Sequence, residues 1–192
     1  RADRVDYILI GTVTPDHWYS PFTAALVQHG LGIEVRRAGG KIKRHIGGHD
    51  VTAACSSFVA ALETGYAQIR SGLSKHVLVI GADVMTTAVN LDERVFSTLV
   101  GGGAGAFVLG RMEAAHDWFG ERNFLCGMDG SLAHLIIALR GGSRAPIEPE
   151  DITNPFKRGH KLQMQGKLVF KEAVKLLPRL VRAAVKKARV SL

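Results

Sequence analysis

The chain has 192 residues, 46% of them hydrophobic and 22% charged, the balance of a folded domain with a buried core and not of a disordered tail. No apolar run approaches the ~18–20 residues of a membrane-spanning helix, and Asp3, Arg4 and Asp6 do not read as a signal-peptide start. The net charge is +8, but between Lys167 and Arg189 eight basic residues face only Glu172, so this stretch carries +7 of it. Basic character confined to one element, with no interleaved aromatic residues, argues against nucleic-acid binding.

In chain order, residues 7–13 form an apolar run halted by Thr14-Pro15-Asp16, which predicts a buried strand closed by a turn. Residues 22–29 precede Gly30 and Gly32 and predict a helix with a glycine C-cap. Residues 34–49 mix charges with Gly39, Gly40, Gly47 and Gly48 and predict an exposed loop. Residues 51–54 predict a short strand running up to Cys55. From Ser56 onward, Val59, Ala60, Leu62, Tyr66 and Ile69 recur at helical spacing until Gly72. Residues 76–81 and 104–109 predict two further strands, the second entered through the glycines 101–103. Because an apolar strand follows these glycines, they do not suit a dinucleotide-binding motif, which needs a strand before and a helix after. Strands alternating with helices predict an α/β fold with a largely parallel, buried sheet.

Further along, residues 123–127 predict a strand, and residues 141–161, with Pro146, Pro149 and Pro155, a loop. A long amphipathic helix follows, its stripe carried by Val169, Phe170, Ala173, Val174, Leu177 and the residues in step with them. Pro178 should kink this helix or leave one of its bonds unmade.

The chain has two cysteines, which make neither a disulfide framework nor a metal site, so a reducing cytoplasm is the simplest compartment. Cys55 falls between a strand and a helix start, where unpaired backbone N–H groups and the helix dipole favour a thiolate. Small neighbours, Ala53, Ala54, Ser56 and Ser57, leave room for a substrate. A cysteine among alanines is equally a small core residue, and that is the reading given to Cys126.

Residues 50–58, DVTAACSSF, resemble the active-site signature of the β-ketoacyl-acyl-carrier-protein synthase III family, in which a D-V-x-A-A-C-x-x-F run carries the acylated cysteine. Other segments are similar to that family in the same order: Thr14-Pro15-Asp16 with residues 23–28, HVLVIGAD at 76–83, GGGAGAFVL at 101–109, Asp129-Gly130-Ser131, GGSR at 141–144 and MQGKLVF at 164–170. The resemblance implies a thiolase-like layered α/β fold made of two similar halves. On this expectation residues 1–115 form the N-terminal half with the nucleophile, lacking its first elements. Residues 116–192 begin the C-terminal half, cut after its long helix.

It further implies an acyltransferase that loads an acyl group from acyl-coenzyme A onto Cys55 and condenses it, with loss of carbon dioxide, with malonyl-acyl carrier protein. Such chemistry starts fatty-acid or polyketide synthesis, and it uses the coenzyme A thioester as substrate with no cofactor or metal. Arg94 would contact the nucleotide end of coenzyme A, against the plainer reading of a solvated turn residue. Met164, Gly166 and Phe170 would line the pantetheine and acyl channel, against the alternative that Phe170 joins the core. The basic helix offers a solvated face or a docking surface for an acidic acyl carrier protein. A homodimer is implied, with no role for nucleic acid or membrane.

The sequence also departs from the pattern. The family supplies a His and an Asn that stabilise the condensing enolate, and none of the eight His or three Asn here lies in a matching motif. Gly102 stands where the family has Asp, and the loop before Cys55 is longer and more basic. The competing expectation is a non-catalytic or truncated partner subunit, or another thiolase-superfamily acyl-coenzyme A condensing enzyme.

Overall fold

A computed structural model describes residues 2–36, 39–111, 124–154 and 158–188. They fall into two compact units, one within Arg1–Asp83 and Gly103–Phe119, the other within Val84–Gly102 and Gly120–Leu192.

The first unit is built on a four-stranded sheet in the order β2-β1-β3-β4, with β1 Tyr7–Gly11, β2 Gly47–Val51, β3 His76–Val84 and β4 Gly102–Gly110. β1 pairs in parallel with both β2 and β3, Tyr7 standing opposite Gly47 on one side and Val77 on the other. A strand paired on both edges and covered on both faces has no polar side, which is why its sequence is an unbroken apolar run. Alternate side chains divide between two cores. Ile8 and Ile10 join Leu78 under α1 (Thr23–Gly30), and Leu9 joins Val77 and Val79 under α2 (Ser57–Arg70). α2 comes close to the sheet at Gly65, where a Cβ would lie 2.9 Å from Val79 Cγ2.

β2 corrects the sequence reading twice: residues 47–49 are strand and not loop, and the strand ends at Val51 instead of running to Ala54. Its glycines are required by packing. A Cβ on Gly48 would lie 2.8 Å from the Ile8 carbonyl oxygen, and one on Gly47 would overlap the Tyr7 ring. β2 also caps a helix. Asp50 accepts hydrogen bonds from the N–H groups of Thr23 (2.7 Å) and Ala24 (2.9 Å), which Phe22 at the N-cap cannot satisfy. β3 and β4 are both longer than the sequence predicts.

In the second unit a two-stranded antiparallel ribbon pairs β5 (Ile136–Ile137) with β6 (Gln163–Met164). α3 spans Arg94–Ser97, and α4, Pro149–Thr153, interrupts what the sequence predicts as loop. Proline opens α4, and Asp151 reaches back to accept from the Glu148 N–H at 2.9 Å, a local start signal that the neighbouring prolines obscure. Arg140 binds the same corner, donating to Glu148 at 2.8 Å. Phe124 is buried, but residues 124–127 form no strand, and Asn123 lies outside the described residues. α5, Gly166–Ala188, runs as one helix through Pro178 and buries none of its residues. No helix among the described residues is long and apolar enough to cross a membrane.

Candidate active site

Two apolar strands carry glycine at the same register: Gly11 closes β1 opposite Gly81, which lies within β3. A Cβ on Gly11 would lie 2.6 Å from the backbone of Phe58, and one on Gly81 2.8 Å from the Phe58 ring. The two bare positions therefore form a flat seat for the first turn of α2. Cys55 stands two residues before that turn, as its position in the sequence predicts.

The approach to the helix is tightly bonded. Thr52 Oγ1 donates to the Thr12 carbonyl at 3.0 Å, and the Thr12 N–H donates to Val51 at 3.1 Å. Ala54 then takes a left-handed conformation with φ of 50°, which costs an L-residue about 1–2 kcal/mol. Ser57, its side chain almost wholly buried, spans this bend. Its Oγ donates to the Ala54 carbonyl at 2.6 Å and accepts from the Ala53 N–H at 2.9 Å.

Cys55 is exposed and lines an open pocket of about 330 Å³. Phe58 and Phe107 form its apolar wall, their ring centroids 5.9 Å apart, and Gly103, Ala104 and Gly105 of β4 line it as well. Asp83 contributes its rim and ties β1 to β3, accepting from Thr12 Oγ1 at 3.0 Å, the Val13 N–H at 2.8 Å and Thr14 Oγ1 at 3.1 Å. An exposed thiol beside an apolar recess of this size can be reached by a thioester and can shelter a short acyl chain. The small-core-residue alternative for Cys55 does not hold, nor does it for Cys126, which is also exposed.

The remaining residues singled out by the sequence lie in the second unit. Arg94 opens α3 and is exposed. Met164 closes β6 and Gly166 opens α5. A Cβ on Gly166 would lie 3.5 Å from Met164 Cε and 3.6 Å from Val95 Cγ1, so Met164, Gly166 and the α3 segment beginning at Arg94 form one neighbourhood. Phe170 is 70% exposed, which corrects the alternative that it belongs to the core. Among the described residues no group of three or more His, Cys, Asp or Glu is placed to hold a metal ion.

Sequence reasoning passed over Gly11, Gly81, Asp83 and the side-chain role of Ser57. A signal for the glycines was present, since YILIG and HVLVIG are two apolar runs each closed by glycine. The bonds of Asp83 and Ser57 depend on three-dimensional neighbours and left no comparable trace.

A family model for 3-oxoacyl-[acyl-carrier-protein (ACP)] synthase III matches residues 49–125. A β-ketoacyl-[acyl-carrier-protein] synthase III of Solibacter usitatus is 37% identical over 172 residues, covering 90% of this chain and 48% of that protein. Among solved structures, a 3-oxoacyl-[acyl-carrier-protein] synthase III from Aquifex aeolicus is 31% identical with a TM-score of 0.76, covering 99% of this chain and 51% of that one. A synthase III from Thermus thermophilus is 29% identical with a TM-score of 0.77, covering 98% and 52%. The α/β fold is thus the thiolase-like one that the resemblance implies. The chain spans about half the length of the curated relatives it matches. Over its own residues, this chain is homologous to the β-ketoacyl-[acyl-carrier-protein] synthase III family.

Proposed function

We propose that Cys55 is the acyl-carrying thiol of a β-ketoacyl-acyl-carrier-protein synthase III-type centre. The observation that carries this reading is the exposed thiol just before α2, which lines an apolar pocket and lies inside the segment matched by the family model. In the loading step the sulfur attacks the carbonyl carbon of acyl-coenzyme A. A carbon–sulfur bond to Cys55 forms as the bond to coenzyme A breaks, and coenzyme A leaves with the thiol proton. Condensation then joins the acyl carbon to malonyl-acyl carrier protein, releasing carbon dioxide and returning the Cys55 thiol. Among the described residues no histidine or asparagine lines the pocket, so condensation is assigned to the full active centre and loading to this part of it.

Residues 1–115 are read as the half that carries the nucleophile and residues 116–192 as the start of the second. Arg94 is assigned to the nucleotide end of coenzyme A, which its exposed guanidinium suits. Met164, Gly166 and Phe170 are assigned to the pantetheine and acyl channel. The basic face of α5 is the proposed dock for an acidic acyl carrier protein, and the working state is proposed to be a cytoplasmic homodimer.

Incubation with acetyl-coenzyme A and intact-mass spectrometry test the reading. One acetyl group should be gained, lost on Cys55→Ala, and gained only at higher acetyl-coenzyme A concentration in Arg94→Ala. No gain, or a gain that survives Cys55→Ala, overturns the assignment and favours a non-catalytic partner role.

A further inference from the structure

We infer that Ser57 is a positioning residue for Cys55: its buried hydroxyl clasps the left-handed bend at Ala54 and so fixes where the thiol stands. This rests on the reading of Cys55 as the reactive thiol. The clasp is a closed set of contacts around one turn. Ser57 Oγ accepts from the N–H of Ala53 and donates to the carbonyl of Ala54, while the Ser57 N–H donates to that same carbonyl at 3.1 Å. Both residues that it grips lie immediately before the thiol, and one of them is held at a φ of 50°.

An alanine at position 54 resists this conformation, whereas glycine accepts it freely. Something outside residue 54 must therefore hold the bend: the Ser56 N–H donates to the Ala53 carbonyl at 3.1 Å, and the Ser57 hydroxyl is the side-chain group bonded on both sides of it, at the Ala53 N–H and the Ala54 carbonyl. Without it the turn relaxes toward ordinary backbone angles. The segment then swings the sulfur away from the start of α2, the setting that promotes thiol reactivity. The buried position of Ser57 strengthens the clasp, because water does not compete for either bond.

The coupling to Ala54 separates positioning from simple packing. The rate of Cys55 alkylation by iodoacetamide, followed by peptide mass mapping, is compared in the unaltered chain, Ser57→Ala, Ala54→Gly and the double variant. Ser57→Ala should slow alkylation by about tenfold or more, the population shift expected when both buried hydrogen bonds of the hydroxyl are lost. Ala54→Gly alone should leave the rate near its starting value. Added to Ser57→Ala, it should restore most of the lost rate, since glycine adopts the bend unaided.

The inference is overturned if Ser57→Ala alkylates at the unaltered rate, or if Ala54→Gly fails to restore a rate that has dropped. Should Ser57→Ala not fold, recovery of folding and alkylation in the double variant supports the clasp, and no recovery assigns Ser57 to packing alone. Alkylation requires neither coenzyme A nor carrier protein. A chain that fails to load acetyl groups yet shows this pattern loses the proposed function and keeps the inference.

Discussion

β1 and α5 both carry a clear apolar pattern, and the structure treats them in opposite ways. In β1 the side chains of Ile8, Leu9 and Ile10 are essentially sealed from solvent. In α5, a helix with more than four times as many residues, Leu176, Leu177 and Val181 each remain more than half exposed. The difference lies in what backs each element. A central parallel strand is covered by its neighbours and by a helix on either face, whereas a helix buries its stripe only where another layer meets it. Periodicity therefore fixed the type of both elements but the burial of only one.

The contrast can be broken by mutation. Leu9→Ala should destabilise the first unit by about 2–5 kcal/mol, read from urea unfolding, because the cavity it leaves is walled by α2 and β3. Leu177→Ala, the same chemical change in α5, should stay within about 0.5 kcal/mol, as expected of a solvent-facing position. A loss at Leu177 comparable to that at Leu9 would show that the stripe is covered in solution, and the contrast would vanish.

The smallest effect belongs to Asp129, at the head of the turn Gly130–Leu135. The Ser131 hydroxyl, and then the Ser131 N–H, hold its carboxyl below the ordinary aspartate value. A depressed carboxyl stabilises the turn above its ordinary pKa and loses that contribution as pH falls through the lowered value. Carboxyl NMR should show Asp129 titrating below the ordinary range, and Ser131→Ala should bring it back up. Titration at the ordinary value in the unaltered chain would remove Ser131 as the cause.

How far the sequence was legible follows the same physical line. β1, α1 and α2 were readable because each carries its own pattern and its own stop, from Thr14-Pro15-Asp16 to Gly72, and β3 by its pattern though it runs on past Gly81 to Val84. β2 was not, because Gly47-Gly48-His49-Asp50 has no strand pattern of its own. It becomes a strand through its partner Tyr7–Gly11, which leaves no room for larger residues. α4 was hidden among prolines. At the site, the thiol and its place before a helix could be read from the local sequence. The glycine seat and the Ser57 bonds join residues that the sequence keeps apart or that only a bent backbone brings together.

The seat formed by Gly11 and Gly81 has a bearing on how such a chain can diverge. At Gly11 and Gly81 the start of α2 meets bare glycine, while Phe58 also packs against the aliphatic cluster of Leu9, Val77 and Val79. Any side chain at either glycine would lift the first turn of α2 off the sheet, whichever aliphatic residues fill the cores. Two absent methyl groups thus set how closely the turn that bears Cys55 can approach the sheet.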